Sequence, residues 1–391
     1  MASYYSSNWI HSFPQNFQWS NAALVCKGMA PYGAVALGEI DWIVQRLHQR
    51  SNEADLDTAW HEEWCAVADK IAAAGDAAAK AGNSATAGNY YLRAGNYYYT
   101  GERMVAPGDL KISIYRKALR CFREGLTRRY ANLEIVDVPY EGTALPAYFL
   151  KSPYANGAAP TVVLFDGLDN CKEMSVLFAG AELAQRGFHT LAIDGPGQGE
   201  ALRLRNLPAR FDYEAAGTPA YEFVAQRADV DAKRVAIMAY SAGGYYAPRA
   251  AAFEPRYAAC VAWGPHYDYH AVWQERWAKM QADYNSVATS HFQLPWVLGT
   301  KDMDSAMEKV KQFTLEGVAD KITCPFLIMW GTQDKLTPRA VADTLYAKVG
   351  SKDKTLKVFD DNEGGAEHCQ VDNRQVGTDT MADWLSARLL K

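Results

Sequence analysis

The sequence has no tract of basic residues and no apolar run long enough to cross a membrane. Lys and Arg number 40 against 45 Asp and Glu, so the formal net charge is −5. Nucleic-acid binding needs a basic patch, and this composition excludes it. A spanning helix needs about 20 apolar residues, so no membrane contact is expected. Residues 1–20 lack a positive n-region followed by an apolar core, so we expect no signal peptide and a cytoplasmic location.

The cysteines show no paired spacing. There are seven, an odd number, and none forms a C-x-x-C pair. Zinc sites and disulfide frameworks depend on regular spacing, so the sequence predicts neither, and the thiols are expected to be free. The glycine-rich segment 194–199 (DGPGQG) lacks the G-K-[ST] ending of a phosphate loop. Nucleotide binding is therefore excluded, and we expect neither a metal nor a cofactor.

Hydrophobic periodicity divides the chain. An irregular aromatic stretch at the start is followed by helical spacing, with Asp57 or Thr58 as the predicted cap of one long helix. Near residue 133 the period changes, and strands then alternate with helices, as in a mainly parallel sheet flanked by helices. The predicted parts are an N-terminal arm and helical domain over 1–130 and an α/β domain over 131–391, with a non-sheet insertion at about 264–321.

Four tyrosines of the helical part recur at helical spacing. Tyr90 and Tyr97 fall on one face, and Tyr91 and Tyr98 fall on another. Such residues pack helix against helix in most proteins. They also suit a pocket for an aromatic substrate, because tyrosine offers a flat apolar wall with a polar tip. Both interpretations are open from the sequence.

The α/β part is organised around Ser241. An apolar run at 235–238 ends at Ala239-Tyr240-Ser241-Ala242-Gly243, and a helical pattern follows. Strand, sharp turn and helix match the nucleophile elbow G-x-S-x-G, with Ala239 in place of the first glycine. Small residues are needed there because bulk beside the strained turn would collide with the neighbouring strand and helix. Ser241 is therefore the predicted nucleophile.

Two further side chains follow strands downstream. Asp334 comes after the predicted strand 326–330, and His368 comes after the strand 356–359. The order Ser, Asp, His, each just past a strand, is that of the α/β-hydrolase triad. His368 would take the proton of Ser241, and Asp334 would orient the imidazole. Three rival acids lie near His368 but at another strand end: Asp360, Asp361 and Glu363.

The loops beside the elbow supply candidates for the remaining roles. The backbone N–H groups of Leu168, after the strand 161–165, and Ala242 are the predicted oxyanion hole. The insertion begins at Gly264 with aromatic and histidine residues, where cap elements usually lie. The predicted substrate contacts in these two loops are Asp169, His266 and Tyr267.

Five short motifs carry a further signal: 167–173 (GLDNCKE), 194–200 (DGPGQGE), 241–244 (SAGG), 254–260 (EPRYAAC) and 381–385 (MADWL). Together they resemble one α/β-hydrolase group, the 2,6-dihydroxypseudooxynicotine hydrolase and the fungal heptaketide-shortening (yellowish-green pigment) hydrolases. The resemblance implies serine-dependent hydrolysis of a C–C bond beside a ketone in an aryl or polyketide substrate. It also implies a helical cap over the active site, a homodimer, and a cap glutamate that Glu275 would match.

The sequence therefore predicts an α/β-hydrolase fold with an N-terminal helical cap and a Ser-His-Asp hydrolase that acts on a small aromatic or polyketide-like molecule. The alternative is an ester or lactone hydrolase, or an acyltransferase, with the same triad. A non-catalytic binding protein on the same scaffold is a third possibility. Labelling of Ser241 by a serine-directed phosphonate separates that protein from the enzymes.

Overall fold

A computed structural model describes residues 9–390, which form two compact units. The helical unit comprises 9–131 and Ala278–Gln293, and the α/β unit comprises Asn132–Trp277 and 294–390. The beginning of the predicted aromatic arm, residues 1–8, lies outside the described residues. Among residues 9–390 no helix has the length and apolar character to span a bilayer.

The helical unit is built on three long, tightly packed helices with a tryptophan-rich core. Trp60 and Trp64 are fully buried, and their rings contact each other at 5.3 Å. The side chain of Asp55 accepts the backbone N–H of Thr58, so it caps the helix two residues before the predicted position. The helices are α1 (Phe17–Lys27), α2 (Leu37–Gln49), α3 (Leu56–Lys80), α4 (Ser84–Glu102) and α5 (Asp109–Arg129).

The tyrosines of α4 pack within this unit. Tyr91, Tyr97 and Tyr98 are buried. Their hydroxyls donate to carboxylates of neighbouring helices: Tyr91 to Asp76 at 2.7 Å, Tyr97 to Glu39 at 2.7 Å, and Tyr98 to Asp69. Satisfied hydroxyls of this kind favour helix packing over a substrate pocket for these three residues.

The α/β unit contains an eight-stranded sheet in the order β1-β2-β4-β3-β5-β6-β7-β8. The first two strands pair antiparallel, β2 pairs antiparallel with β4, and every later pairing is parallel. The strands are β1 (Leu133–Tyr140), β2 (Thr143–Leu150), β3 (Ala159–Phe165), β4 (His189–Ile193), β5 (Val230–Ala242), β6 (Ala259–Pro265), β7 (Phe326–Gly331) and β8 (Lys354–Phe359).

Helices follow the strands and cover the sheet. Strands β3 and β6 and residues 235–240 of β5 are fully buried, which accounts for their continuous apolar runs. The sequence patterns therefore predicted the order of the elements correctly. The helices are α6 (Lys172–Ser175), α7 (Ala181–Gln185), α8 (Gly199–Arg205), α9 (Glu214–Ala225), α10 (Gly243–Phe253), α11 (Tyr269–Ala282), α12 (Gln293–Leu298), α13 (Met303–Val310), α14 (Arg339–Lys348) and α15 (Arg374–Leu389).

Candidate active site

Ser241 is the next-to-last residue of β5, at the sharp turn that leads into α10. Its φ of 58° lies in the left-handed region, which few residues other than glycine adopt. Such a conformation costs about 1–3 kcal/mol and persists only where the surroundings enforce it. The turn raises the serine hydroxyl above the carboxyl end of the sheet, as a nucleophile elbow requires.

Close packing around the turn explains its small residues. A Cβ at Gly243 would lie 2.6 Å from the Cβ of Ala239 and 2.7 Å from the carbonyl oxygen of Asp166. A Cβ at Gly167 would lie 2.5 Å from the carbonyl oxygen of Tyr240 and 2.8 Å from the Cβ of Ser241. Real Cβ atoms do not approach neighbours so closely. The elbow therefore accommodates the methyl of Ala239 but no side chain at Gly243 or Gly167.

Ser241 and His368 meet although they are 127 residues apart in sequence. The Oγ of Ser241 lies 2.8 Å from the Nε2 of His368, and the Nδ1 of His368 lies 2.7 Å from the Oδ2 of Asp334. The Nδ1 hydrogen is donated to the carboxylate, so Nε2 is the nitrogen that can accept the hydroxyl proton. This arrangement can activate a serine nucleophile.

Asp334 is fixed by its own turn after β7. Its Oδ1 accepts the backbone N–H groups of Leu336 and Thr337, both at 2.8 Å, which leaves Oδ2 for the imidazole. The side chain of Asp334 is fully buried. A buried carboxylate with three donors is held firmly in one orientation.

The pKa of His368 reflects the same contacts. Burial lowers this pKa, but the Asp334 carboxylate and the adjacent Cys369 outweigh burial, so the pKa is raised well above its ordinary value. The neighbouring thiol is close, since the Sγ of Cys369 lies 3.3 Å from Nε2. Among the groups that raise this pKa, the Asp334 carboxylate has the largest effect.

Asp372 organises the His368 loop, and the sequence analysis missed it. Its two carboxylate oxygens accept the backbone N–H groups of Gly365 (2.9 Å), Ala366 (3.1 Å) and Glu367 (3.1 Å), the three residues that precede His368. The signal was an aspartate a few residues beyond a glycine pair, a common loop pattern whose partners only the folded chain reveals.

The residues directly after His368 are also constrained. Cys369 and Gln370 both have positive φ, at 52° and 54°. Gln370 accepts a hydrogen bond from the indole N–H of Trp263 at 2.6 Å, and the Cys369 thiol lies 3.3 Å from the Trp263 carbonyl oxygen. These contacts connect the loop to β6, the strand beside the nucleophile strand.

The rival acids lie apart from the imidazole. Asp360 accepts the backbone N–H groups of Asn362 and Glu363 in its own turn, and Glu363 pairs with Lys357. Asp361 accepts a hydrogen bond from the side chain of Gln333. The imidazole nitrogen Nδ1 is bonded to Asp334 instead.

The predicted oxyanion donors lie in segments that meet at the elbow. Ala242 directly precedes α10, and the Cβ position of Gly167 lies 3.1 Å from the Ala242 nitrogen. Leu168, the residue after Gly167, is buried. The two segments are close enough to form an oxyanion hole. That the N–H groups of Leu168 and Ala242 both point toward the substrate oxygen remains a prediction.

A buried ion network connects Lys172, which begins α6, with the glycine-rich segment after β4. The carboxylate of Asp194 accepts the backbone N–H of Lys172 at 2.8 Å, its ammonium at 2.9 Å, and the backbone N–H of Glu200 at 2.7 Å. The ammonium of Lys172 also bonds Glu200 and pairs with Glu173. The glycine-rich segment 194–199 thus serves as a structural support in this fold.

The predicted substrate contacts differ in their surroundings. Tyr267 is buried, and its hydroxyl donates to Glu316 at 2.5 Å, a placement that favours packing. Glu275 is exposed on α11, and Asp169 is half-buried after β3. His266 is buried, and its backbone N–H lies 3.4 Å from the carbonyl oxygen of Gly244, three residues past Ser241. Contact of these four residues with a substrate remains a prediction.

The described part of the chain holds no cluster of three His, Cys, Asp or Glu residues suited to a metal ion. The arrangement at Ser241 can carry out acyl transfer with groups of the chain itself.

The chain is similar to known hydrolases. The family model for acetyl xylan esterase (AXE1) matches residues 216–386. The alpha/beta hydrolase xenA of Xenoacremonium sinensis is 31% identical over 54% of this chain and 58% of its own length. The 20-hydroxy-prefusarin hydrolase FUS2 of Gibberella moniliformis is 27% identical over 92% of this chain and 94% of its own length.

The chain is also similar to the bacterial hydrolase named in the sequence resemblance. The 2,6-dihydropseudooxynicotine hydrolase of Paenarthrobacter nicotinovorans is 26% identical over 70% of this chain and 68% of its own length. The crystal structure of the 2,6-dihydroxy-pseudo-oxynicotine hydrolase superposes with a TM-score of 0.76 at 22% identity, covering 93% of this chain and 96% of that one. The predicted fold and resemblance are therefore confirmed. The chain is an enzyme of the α/β-hydrolase fold, similar to these bacterial and fungal hydrolases.

Proposed function

We propose that the chain is a serine hydrolase that cleaves a C–C bond beside a ketone, with Ser241 as nucleophile, His368 as acid and base, and Asp334 as the group that orients His368. The observation that carries the proposal is the continuous chain of hydrogen bonds from Ser241 Oγ through His368 to Asp334, at 2.8 and 2.7 Å. The substrate class rests on the names of the relatives, which include hydrolases of a prefusarin and of a pseudooxynicotine.

The first step joins Ser241 to the substrate. His368 Nε2 takes the hydroxyl proton while Oγ bonds the ketone carbon, and the carbonyl electrons move to oxygen. The backbone N–H groups of Leu168 and Ala242 would stabilise this oxyanion. The orienting role of Asp334 fits its burial, since a buried carboxylate also stabilises the imidazolium that forms.

The second step breaks the C–C bond. The electron pair leaves with the carbon, which then accepts the proton that His368 holds, and the acyl group remains on Ser241. Water, activated by His368, releases the acid and restores the serine. Carbon is a competent leaving group only if its charge is delocalised, so the proposal requires an aryl ketone or a β-diketone.

Ester hydrolysis is the second candidate. The acetyl xylan esterase model matches residues 216–386, a segment that includes Ser241, Asp334 and His368. The first step is the same as in C–C hydrolysis. The leaving group is an alcohol, so no negative charge on carbon has to be delocalised. A lactone hydrolase and an acyltransferase with the same triad fall under this candidate.

The test uses a serine-directed fluorophosphonate and a substrate panel. We expect the probe to label wild type at Ser241, as peptide mass spectrometry would show, and to leave Ser241→Ala unlabelled. Wild type should cleave aryl β-diketones, and Ser241→Ala should not. Turnover of p-nitrophenyl esters without diketone cleavage would exclude C–C hydrolysis and support the esterase. Absence of labelling would contradict both.

A matched control separates the elbow serine from other serines. Ser175 is also buried in the α/β unit, where its hydroxyl donates to Asp166 at 2.8 Å. Ser175→Ala should keep both the labelling and the turnover.

A further inference from the structure

His266 is a buried histidine beside the candidate nucleophile that the proposed mechanism does not use. It lies just past β6, and the residue is about as buried as His368, at 2% exposed against 7%. The backbone next to it is in direct contact with the elbow. A Cβ at Gly264 would lie 3.3 Å from both the N and the Cα of Ser241. Gly244 and Pro265 also form an isolated parallel bridge.

The hydrogen bonding of the ring determines its tautomer. The Nδ1 of His266 lies 3.2 Å from the carbonyl oxygen of Gly264. A carbonyl can only accept, so Nδ1 carries the hydrogen and Nε2 is left with a lone pair. Within residues 9–390 the Gly264 contact is the hydrogen bond that the ring makes. Its Nε2 is therefore an acceptor without a donor from the described chain.

Packing holds the ring in place. The ring of Tyr269 meets it edge-on, with centroids 4.9 Å apart and planes at 80°. Tyr269 in turn packs against the fully buried Trp273 at 6.2 Å. A molecule that covers this acceptor without donating a hydrogen bond to it costs about 1–3 kcal/mol, so the acceptor discriminates among the molecules that enter.

The electrostatic surroundings keep His266 uncharged. Burial, together with the positive potential of His368 and Arg276, lowers the pKa of His266 to about 3, against smaller opposing effects of the Gly264 carbonyl and Asp334. Both His368 and Asp334 thus act on this ring, which agrees with its place beside the triad. A neutral imidazole accepts a hydrogen bond over the whole physiological pH range.

We propose that His266 is a specificity-determining residue whose Nε2 accepts a hydrogen bond from a substrate hydroxyl beside the reacting ketone, either a phenol ortho to an aryl ketone or the enol of a β-diketone. The inference rests on the proposed function, because it assumes that the ketone carbon reaches Ser241. It names the substrate class more narrowly, since a ketone without such a hydroxyl leaves Nε2 unpaired. A site that is built to hydrogen-bond a hydroxyl rejects analogues that lack it.

The first experiment measures binding to Ser241→Ala, which keeps His266. The ligands form two matched pairs: ortho-hydroxyacetophenone against ortho-methoxyacetophenone, and benzoylacetone against its gem-dimethyl derivative, which cannot enolise. We expect calorimetry to show about 10-fold tighter binding, or more, for the hydroxyl-bearing member of at least one pair. Equal affinity within both pairs would overturn the inference.

The second experiment introduces His266→Phe, which keeps a ring of similar size without an acceptor, and His266→Gln, which keeps an acceptor oxygen. In the Ser241→Ala background, the hydroxyl preference should fall to about 1 in His266→Phe and be partly restored in His266→Gln, if the preference comes from one hydrogen bond. A preference that persists in His266→Phe would overturn the inference, as would its loss in both variants when thermal unfolding shows native folds. The first experiment decides the question if His266→Phe does not fold.

The inference and the proposed function fail in different ways. If the fluorophosphonate does not label Ser241 in wild type, the proposed function fails. If Ser241 is labelled and ketones bind without a hydroxyl preference, only the role of His266 fails.

Discussion

At the scale of single residues, Asp334 divides its carboxylate between two tasks. One oxygen accepts two backbone N–H groups of its own turn, and the other accepts the imidazole of His368. An asparagine at position 334 can still accept the two backbone N–H groups. The amide group that it presents to the imidazole carries no negative charge. The orienting function of Asp334 can therefore be removed separately from its structural one.

We expect Asp334→Asn to lower kcat by about 10³- to 10⁴-fold, because the imidazole loses its tautomer and the charge that stabilises it. Steady-state kinetics on whichever substrate of the panel is turned over would measure the loss, and urea unfolding should change little. Asp361→Asn is the control, since Asp361 lies in the neighbouring loop and bonds only Gln333 among the contacts above. A normal kcat in Asp334→Asn would identify a different orienting acid.

The pH profile provides an independent test. Burial lowers the pKa of His368, but the Asp334 carboxylate and the adjacent Cys369 together raise that pKa above its ordinary value near 6.5. Only the neutral imidazole takes the serine proton, so kcat/KM should rise with pH through a group that titrates above 6.5, and this limb should move to lower pH in Asp334→Asn. For stability the sign is opposite: the ion pair contributes fully below the unfolded pKa, and this contribution is lost as pH rises through the folded pKa. An unshifted acidic limb in Asp334→Asn would contradict the assignment.

Asp372 acts on the candidate site indirectly, by positioning the loop that carries His368. It holds the three backbone N–H groups that precede His368. We expect Asp372→Ala to reduce kcat by about 10- to 100-fold, because small displacements of a catalytic group have effects of this size, and to lower the free energy of unfolding by about 1–3 kcal/mol through the unpaired N–H groups. KM should change little, and Asp372→Asn, which keeps one acceptor oxygen, should recover part of kcat. A large KM change with normal kcat would instead indicate direct substrate contact.

At the scale of elements, the site depends on how closely the loop after β3 approaches the turn after β5. Gly167 is the contact point, with space for no atom beyond its Cα. Both segments carry a predicted oxyanion donor. Their separation therefore sets the geometry of the oxyanion hole.

We expect Gly167→Ala to lower kcat by about 10²-fold, the order of effect of losing one oxyanion donor, and to destabilise the fold by about 1–3 kcal/mol through overpacking. Kinetics and thermal unfolding measure the two effects. Gly38→Ala is the matched control: a Cβ there meets nothing within 4 Å, and α2 should gain slightly from the better helix former. Full activity in Gly167→Ala would show that the oxyanion is held elsewhere.

At the scale of the whole molecule, each compact unit buries a lysine among carboxylates. In the α/β unit it is Lys172, with Asp194, Glu200 and Glu173. In the helical unit it is Lys111, paired with Glu102 at 2.6 Å, with both side chains 1% exposed. Such pairs add little net stability, but removing one partner leaves a buried charge.

Lys111→Met should therefore cost about 3–5 kcal/mol of unfolding free energy, and the double variant with Glu102→Gln should recover most of it. Urea unfolding followed by tryptophan fluorescence would report the change, since Trp60 and Trp64 lie in the same unit. Lys117→Met is the control, because its pair with Asp69 is half-exposed and should contribute less than about 1 kcal/mol. Equal losses of unfolding free energy in Lys111→Met and Lys117→Met would contradict this explanation.

The sequence predicted the sheet, the order of its strands along the chain and the candidate triad, because periodicity and strand-end position are local signals. It did not predict that Ala278–Gln293 clusters with the helical unit, which depends on non-local contacts. The role of Asp372 was hidden for another reason: its partners lie close in sequence but are backbone N–H groups, which no residue type marks. The homodimer and the cap over the site remain predictions.

The packing around Ala239 and Gly243 shows that the two small positions of the elbow are not equivalent. The position before the serine accepts a methyl, whereas the position after it is closed by a backbone oxygen as well as by that methyl. A search pattern that demands glycine on both sides discards chains such as this one. A pattern of glycine or alanine, any residue, serine, any residue and glycine follows the steric limits of the turn and would retrieve them.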